Sequence, residues 1–269
     1  MDRYPDQPLD RTRRSPGKAE WDGGIHSFTV GIATDNRVGR VYQWLMSRPP
    51  LLPVARGFQA LATAPQWSRL LERGTHREIV SGRRLIEQGV RSRTVYAVRR
   101  GRVRVVYTDQ DGTETLIAVR GPGDLLGEYA HGDGSEHVAS VWALEHGAVA
   151  VLNARAFGQY IESAGLGNAL QHYMLGKARE NTARMWRTAN LGTEKRMAQL
   201  FLETVEAAPD GDVPTVPLTQ DQIASALGVS RSSVAQLLKL WRTKGLVRTQ
   251  PAPLTLTDLT AVARRASAT

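Results

Sequence analysis

The chain contains no cysteine. That absence excludes disulfides, thiolate metal sites, cysteine-held iron–sulfur clusters and cysteine nucleophiles. No apolar run approaches the roughly 18–20 residues that a membrane helix needs. The N-terminus has no signal-peptide core. A cytoplasmic protein without a membrane partner is the expectation. Acid is scarce in one place: between 218 and 249 the sole acid is Asp221, set against Arg231, Lys239, Arg242, Lys244 and Arg248. Over all 269 residues the formal charge is +9, which favours a polyanionic partner. At 41% hydrophobic content the chain has apolar material for two modest domains.

The acid-poor stretch is also the most patterned. Thr219 can cap a helix carrying Ile223, Ala224 and Leu227 on one face, and Gly228 supplies a sharp turn. Ser230 offers a second cap, followed by Val234, Leu237, Leu238 and Trp241 at helical spacing, with Gly245 as the stop. Two short helices about a tight turn on a basic surface predict a DNA reader. Arg231, Ser232, Ser233 and Gln236 stand where a recognition helix meets base edges. Arginine grips guanine O6/N7 and glutamine grips adenine N6/N7. Thr219, Gln220, Ser230 and Lys239 complete the expected DNA-contacting set, on phosphates. Beyond it, 246–248 and 254–256 read as two strands of a wing. Asp258 then caps a closing helix with Leu259 and Val262.

Upstream the texture is different. Residues 1–20 mix prolines and charges of both signs, which predicts disorder. Val38, Val41, Tyr42 and Leu45 sit at helical spacing ahead of Pro49 and Pro50. From Phe58 a helical lead-in ends near Gly74. Glycines then punctuate short β-branched pieces at 84–86, 94–98, 102–107, 115–119, 138–143 and 148–152, which predicts a sandwich or barrel. A hairpin turn falls at 109–112. Within this region, Gly121-Pro-Gly-Asp-Leu-Leu-Gly-Glu-Tyr-Ala130 leads through two bends to a helix start at Gly127-Glu128. Its exposed N–H groups make an anion site, with Glu128 as an acceptor for hydroxyls. His131, His137 and His146 lie near Glu128, Asp133 and Glu136, but their spacing fits no metal motif. No Ser–His–Asp arrangement or carboxylate pair is legible, so an enzyme is not expected. A short helix at 154–163 breaks at Gly165-Leu-Gly167. A long helix follows, with Met174, Ala178, Asn181, Met185 and Thr188 as a polar heptad seam.

The glycine-spaced roll, the Gly127-Glu128 cassette, the long helix and the Val229-Ser-Arg-Ser-Ser-Val234 turn occur in one order. Together they resemble the cyclic-AMP receptor protein and fumarate–nitrate regulator family of bacterial transcription regulators, from about Phe58 to about Arg265. The resemblance implies a cofactor site at Gly127, Glu128, Tyr129 and Ala130, a phosphate clamp at 137 and 138, and nucleobase contacts from Asn181 and Thr182. In cyclic-nucleotide-binding relatives the clamp is an arginine followed by a hydroxyl residue; here it is His137 and Val138. An imidazole largely neutral near pH 7 replaces a permanent bidentate cation, and valine donates nothing. At roughly 1.5–3 kcal/mol per charged contact, cyclic AMP binding should weaken by one to several orders of magnitude. The effector's identity is left open, as a cyclic nucleotide, a different ligand or none. Relatives with the best-known operator read bases with Arg, Glu and Arg, where this chain has Arg231, Ser232 and Gln236. The operator should therefore share only part of that half-site.

The expected fold class is α+β. Residues 1–57 form an N-terminal extension, 58–163 an effector-binding-like β-roll (a double-stranded β-helix), 164–191 a dimerisation helix and 192–269 a winged helix-turn-helix. Leu191-Gly192 is the expected hinge. The expected function is homodimeric, sequence-specific DNA-binding transcription regulation, allosterically linked to the roll. Its partners would be a palindromic double-stranded DNA operator, a second copy of the chain and, for an activator, RNA polymerase. Two alternatives stand beside it: a roll that is a ligand-independent dimerisation scaffold, and a nucleotide-sensing interaction module that does not bind DNA.

Overall fold

A computed structural model describes residues 57–129, 134–209 and 212–267. The expectations for residues 1–56, for Ala130 and for His131 and Asp133 lie outside the described residues. A 3-10 turn, Gly57–Leu61, and helix α1, Ala64–Glu72, lead in. Thr63 starts α1 through a reciprocal capping box. Its hydroxyl accepts from the Gln66 N–H, and the Gln66 side chain accepts from the Thr63 N–H at 2.9 Å.

Eight strands follow: β1 (Thr75–Ile79), β2 (Arg84–Ile86), β3 (Thr94–Arg100), β4 (Val103–Thr108), β5 (Glu114–Arg120), β6 (Leu125–Leu126), β7 (Ser140–Ala143) and β8 (Gly147–Asn153). They form two four-stranded antiparallel sheets, ordered β1-β8-β3-β6 and β2-β7-β4-β5. The six β-branched pieces became strands; β1 and β6 were not foreseen. In β1 only Ile79 is buried, so it has no alternating pattern to display, and pairing with β8 holds it. Strand β6 is two residues long and had been read as part of a bend.

Helix α2 (Ala154–Ser163) closes one end of the roll, and α3 (Gly167–Asn190) runs away from it, with the break where the glycines predicted it. After Leu191-Gly192 come α4 (Thr193–Glu206), β9 (Thr215–Val216), α5 (Gln220–Leu227), α6 (Arg231–Thr243), β10 (Val247–Arg248), β11 (Leu254–Leu256) and α7 (Leu259–Ser267). The wing is a three-stranded sheet, β10-β11-β9, rather than two strands. Strand β9 is two residues between Pro214 and Pro217, too short to leave a period. Among the described residues no helix is long and apolar enough to cross a membrane.

The roll and the helix-turn-helix head share one core. Val106, Leu116 and Leu144 of the roll cluster with Met197, Phe201 and Trp241 of the head. Gly121 permits the closest approach, since a Cβ there would lie 1.8 Å from the Ala207 carbonyl oxygen. Arg102, only 2% exposed, crosses the boundary. Its guanidinium donates to both Glu145 carboxylate oxygens at 2.8 Å. It also donates to the carbonyls of Thr204 at 3.1 Å and Thr215 at 2.6 Å, and to the Thr215 hydroxyl at 2.9 Å. All five N–H donors are thereby used, three of them on the head.

A buried ion pair contributes little net stability over an apolar replacement, but removing one partner strands the other. We expect Arg102→Ala to lower unfolding free energy by about 3–5 kcal/mol, toward the lower end because Glu145 keeps some water. Arg102→Lys should recover less than half, because one ammonium cannot span Glu145 and Thr215 together. Denaturant titration of the three proteins checks this; an Arg102→Lys variant as stable as wild type contradicts it.

Candidate nucleic-acid interface and sensor site

Thr219 caps α5 through a second capping box, its hydroxyl accepting from Gln222 N at 3.2 Å and Gln222 Oε1 accepting from Thr219 N at 2.9 Å. Gly228 takes the left-handed conformation (φ 61°, ψ 40°) that reverses the chain between the helices, which residues with a Cβ adopt at a cost. Ser230 then caps α6, accepting from Ser233 N at 3.2 Å, with the Ser232 and Ser233 hydroxyls within 2.9 Å of its own. Val234, Leu238 and Trp241 face inward, the Trp241 ring edge-on to Phe201 at 5.7 Å.

The opposite edge of α6 is free. Arg231, Ser232, Gln236 and Lys239 are exposed, as are Thr219, Gln220 and Ser230; Ser233 is half-buried. Seven of the eight predicted contact residues thus reach solvent, at the N-terminal end of α5 and along α6. Arg231 Nε lies 3.6 Å from Asp221 Oδ1, with both side chains 68% exposed. A pair that open is screened and worth little, so an incoming base edge competes easily. The sequence did not reveal what holds the head rigid. The Trp241 indole donates to Glu194 at 2.8 Å, and Arg265 reaches the same oxygen at 3.3 Å. Glu194 lies in the first turn of α4, and these partners are 47 and 71 residues away.

In the roll, Glu128 is 1% exposed. Its Oε1 accepts from Lys177 Nζ at 2.6 Å, and the same ammonium donates to the Leu125 carbonyl at 2.9 Å. Lys177 also lies 4.5 Å from the Tyr173 ring centre and 5.9 Å from that of Tyr129. The Tyr173 hydroxyl donates to Asp124 at 2.8 Å and accepts from Leu125 N at 3.0 Å. Burial, reinforced by Asp124 and Glu128, holds that phenol well above its ordinary pKa. Glu128 was expected to wait for a ligand's hydroxyls; one of its oxygens is instead occupied by a cation from α3. Lys177 carried no signal in the sequence except its place one turn before Asn181.

His137 is buried beside Gly127, and its backbone is fixed by Gly89 N to His137 O at 2.9 Å and His137 N to Val90 O at 3.2 Å. Its Nε2 is buried without a hydrogen-bond partner among the described residues. Burial lowers the imidazole pKa, against the opposing pull of Glu128. The ring is therefore neutral near pH 7, as the substitution of arginine by histidine implied. Val138 is 67% exposed, and Asn181 and Thr182 lie exposed on α3, Thr182 bonding its own Ala178 carbonyl at 3.1 Å. The structure thus joins Gly127, Glu128, Tyr129 and His137 into one site with Lys177 and leaves Val138, Asn181 and Thr182 on the surface.

The lowered His137 pKa makes a signed prediction. An unfolded imidazole takes its proton near 6.5 while the folded one resists, so native stability is lost as pH falls below 6.5 toward the lower folded value. Melting midpoints from about pH 7.5 to about pH 5.5 should fall more for wild type than for His137→Gln. Parallel curves would contradict the assignment.

With the geometry in place, the likenesses are informative. Residues 76–164 match the cyclic nucleotide-binding domain family, and residues 195–265 match the Crp-like helix-turn-helix domain family. The cAMP-activated global transcriptional regulator CRP of Salmonella typhimurium is 27% identical, over 61% of this chain and 80% of that protein. The cAMP-activated global transcriptional regulator Vfr of Pseudomonas aeruginosa is 26% identical, over 66% and 87%. The structure of FixK2 from Bradyrhizobium japonicum shares the fold, with a TM-score of 0.64 at 19% identity over 73% of this chain and 98% of that one.

Proposed function

The chain belongs to the cyclic-AMP receptor protein and fumarate–nitrate regulator family of bacterial transcription regulators, and on that premise we propose that it works as a homodimer reading two half-sites of a palindromic operator. It is a DNA-binding regulator with a sensor domain. The observation that carries the proposal is the exposed polar edge of α6, with Arg231, Ser232 and Gln236 ahead of an acid-poor basic surface. Dimer pairing is supported by α3, where Met185 is 74% and Trp186 59% exposed in the single chain. Side chains of that size on one helix favour a second copy as their cover. Two copies would set their α6 helices roughly 34–36 Å apart, one turn of DNA. RNA polymerase is the further partner of such a regulator when it activates.

Two of the relatives described above are cAMP-activated by name. For this chain we propose that cyclic AMP binds weakly, because the clamp position carries a neutral buried imidazole and its neighbour Val138 has no donor. One observation favours a second reading, in which the roll is a ligand-independent scaffold: Lys177 already occupies one Glu128 oxygen from inside the protein. Calorimetric titration with cyclic AMP, cyclic GMP and cyclic dinucleotides, with and without operator DNA, separates the two. Saturable heat with any of them supports a sensor; micromolar cyclic AMP binding contradicts the weak-clamp argument.

For the head, Arg231→Ala should cost about 1–3 kcal/mol of specific affinity and relax selectivity at one base pair. Lys239→Ala should weaken binding evenly across sequences and lower the salt slope by about one. Footprinting and salt-dependent binding measure both. An unchanged footprint for Arg231→Ala rules out its role as a base reader.

A further inference from the structure

Helix α3 carries more exposed apolar surface than a second α3 can cover. At about 100° of rotation per residue, Met174, Ala178, Asn181, Met185 and Thr188 share one line, the seam expected between two such helices. Leu175, Thr182 and Trp186 fall about 100° to one side of that line. Leu175 is 44% and Trp186 59% exposed, and Thr182 is exposed between them. On the other flank, again about 100° from the seam, stand Tyr173, Lys177 and Glu180. These three bind the chain's own roll: Tyr173 at Leu125, Lys177 at Glu128 and Glu180 at Arg120. The chain's own roll is thus on the wrong side of α3 to shelter Leu175 and Trp186. A two-stranded seam buries its central positions and leaves the outer ones in water.

Symmetry decides what lies on the open flank. Two heads reading adjacent turns of DNA require parallel α3 helices related by a two-fold axis along the seam. Each roll sits on the same rotational side of its own helix, so the two-fold places the two rolls on opposite sides of the helix pair. The flank bearing Leu175 and Trp186 then faces the roll of the other chain. We infer that this flank docks on the roll of a second copy, a contact additional to the helix seam. The roll offers a matching surface in Val90, Tyr107 and Val138, which are 46%, 47% and 67% exposed. They are neighbours: His137 N donates to the Val90 carbonyl, and the Gln88 side chain bonds both backbone groups of Thr108. Charge agrees, since the helix flank carries Arg179 and no acid, while Asp109 and Glu136 border the roll patch. Val138 thereby gains a use. Where cyclic-nucleotide-binding relatives carry a hydroxyl for the ligand, this chain presents an apolar contact to a second copy. The docking rests on the homodimer proposed above.

The test replaces Trp186 in the full chain with a photoreactive benzophenone amino acid and mixes isotopically heavy and light protein before irradiation. Mass then separates products between chains from products within one. Heavy–light crosslinks from position 186 to the roll, around Val90, Tyr107 or Val138, are expected. In sedimentation, Trp186→Ser and Tyr107→Ser should each raise the dimer dissociation constant about tenfold, through lost apolar burial. Crosslinks confined to α3 or to the same chain overturn the docking, as does a dimer that neither crosslinks nor weakens in Trp186→Ser. A wild-type chain that stays monomeric overturns the homodimer and the docking together, so failure of the wider reading is told apart from failure of this contact alone.

Discussion

One guanidinium decides how this molecule is put together. Arg102 leaves the roll at the turn into β4, pairs with Glu145 of its own domain and spends its remaining donors on Thr204 and Thr215 of the head. A charge in that position is tolerable only while every N–H has an acceptor, because an unpaired buried charge costs several kcal/mol. The acceptors come from both domains, so the two can separate only by uncovering it. The surrounding contacts depend on the same closeness. Gly121 meets the Ala207 backbone with no room for a side chain, and the Ser225 hydroxyl donates to the Glu114 carbonyl across the boundary. The core that joins Val106, Leu116 and Leu144 to the head exists only in this arrangement.

This gives the expected hinge at Leu191-Gly192 a different meaning. Gly192 does sit at a helix boundary, as the N-cap of α4. Yet the head is held from two sides, by Arg102 from the roll and by Arg184 and Arg187 of α3 through Glu203. Rotation about the glycine therefore requires breaking polar contacts, the buried ones of Arg102 among them. The sensor site reaches the same frame through α3. Lys177 ties Glu128 to that helix, and Arg120 pairs with Glu180 at 2.7 Å one turn further along it. Whatever engages Glu128 must compete with a cation that α3 supplies.

The legible part of the fold was the part written in local pattern. Six β-branched strands, two capped helices around Gly228 and the break at Gly165 to Gly167 each leave a period, a cap or a glycine. The exposed edge of α6 was legible for the same reason, since exposed residues on a capped helix follow from spacing alone. What escaped was either too short or too distant. Strands β6 and β9 have two residues each, and β1 has one buried position. Arg102 read as the first residue of a strand, because its partners lie 43, 102 and 113 positions away. Lys177 was hidden likewise: a lysine beside a polar heptad seam looks like a solvated residue until the roll is folded against it. The exchange of arginine for His137 was visible in sequence; its burial needed the structure.

The central claim is that Arg102 fixes the reading head on the roll. Because the chain has no cysteine, a pair introduced at Asp111 and Lys244, both exposed and on opposite sides of the boundary, takes spin labels without further change. Pulsed electron–electron distance measurement, with labelled protein diluted by unlabelled so that pairs within one chain dominate, reads the geometry directly. The account predicts one narrow distance distribution in the otherwise native chain and a broad one when Arg102→Ala is added. The same narrow distribution in both would contradict it.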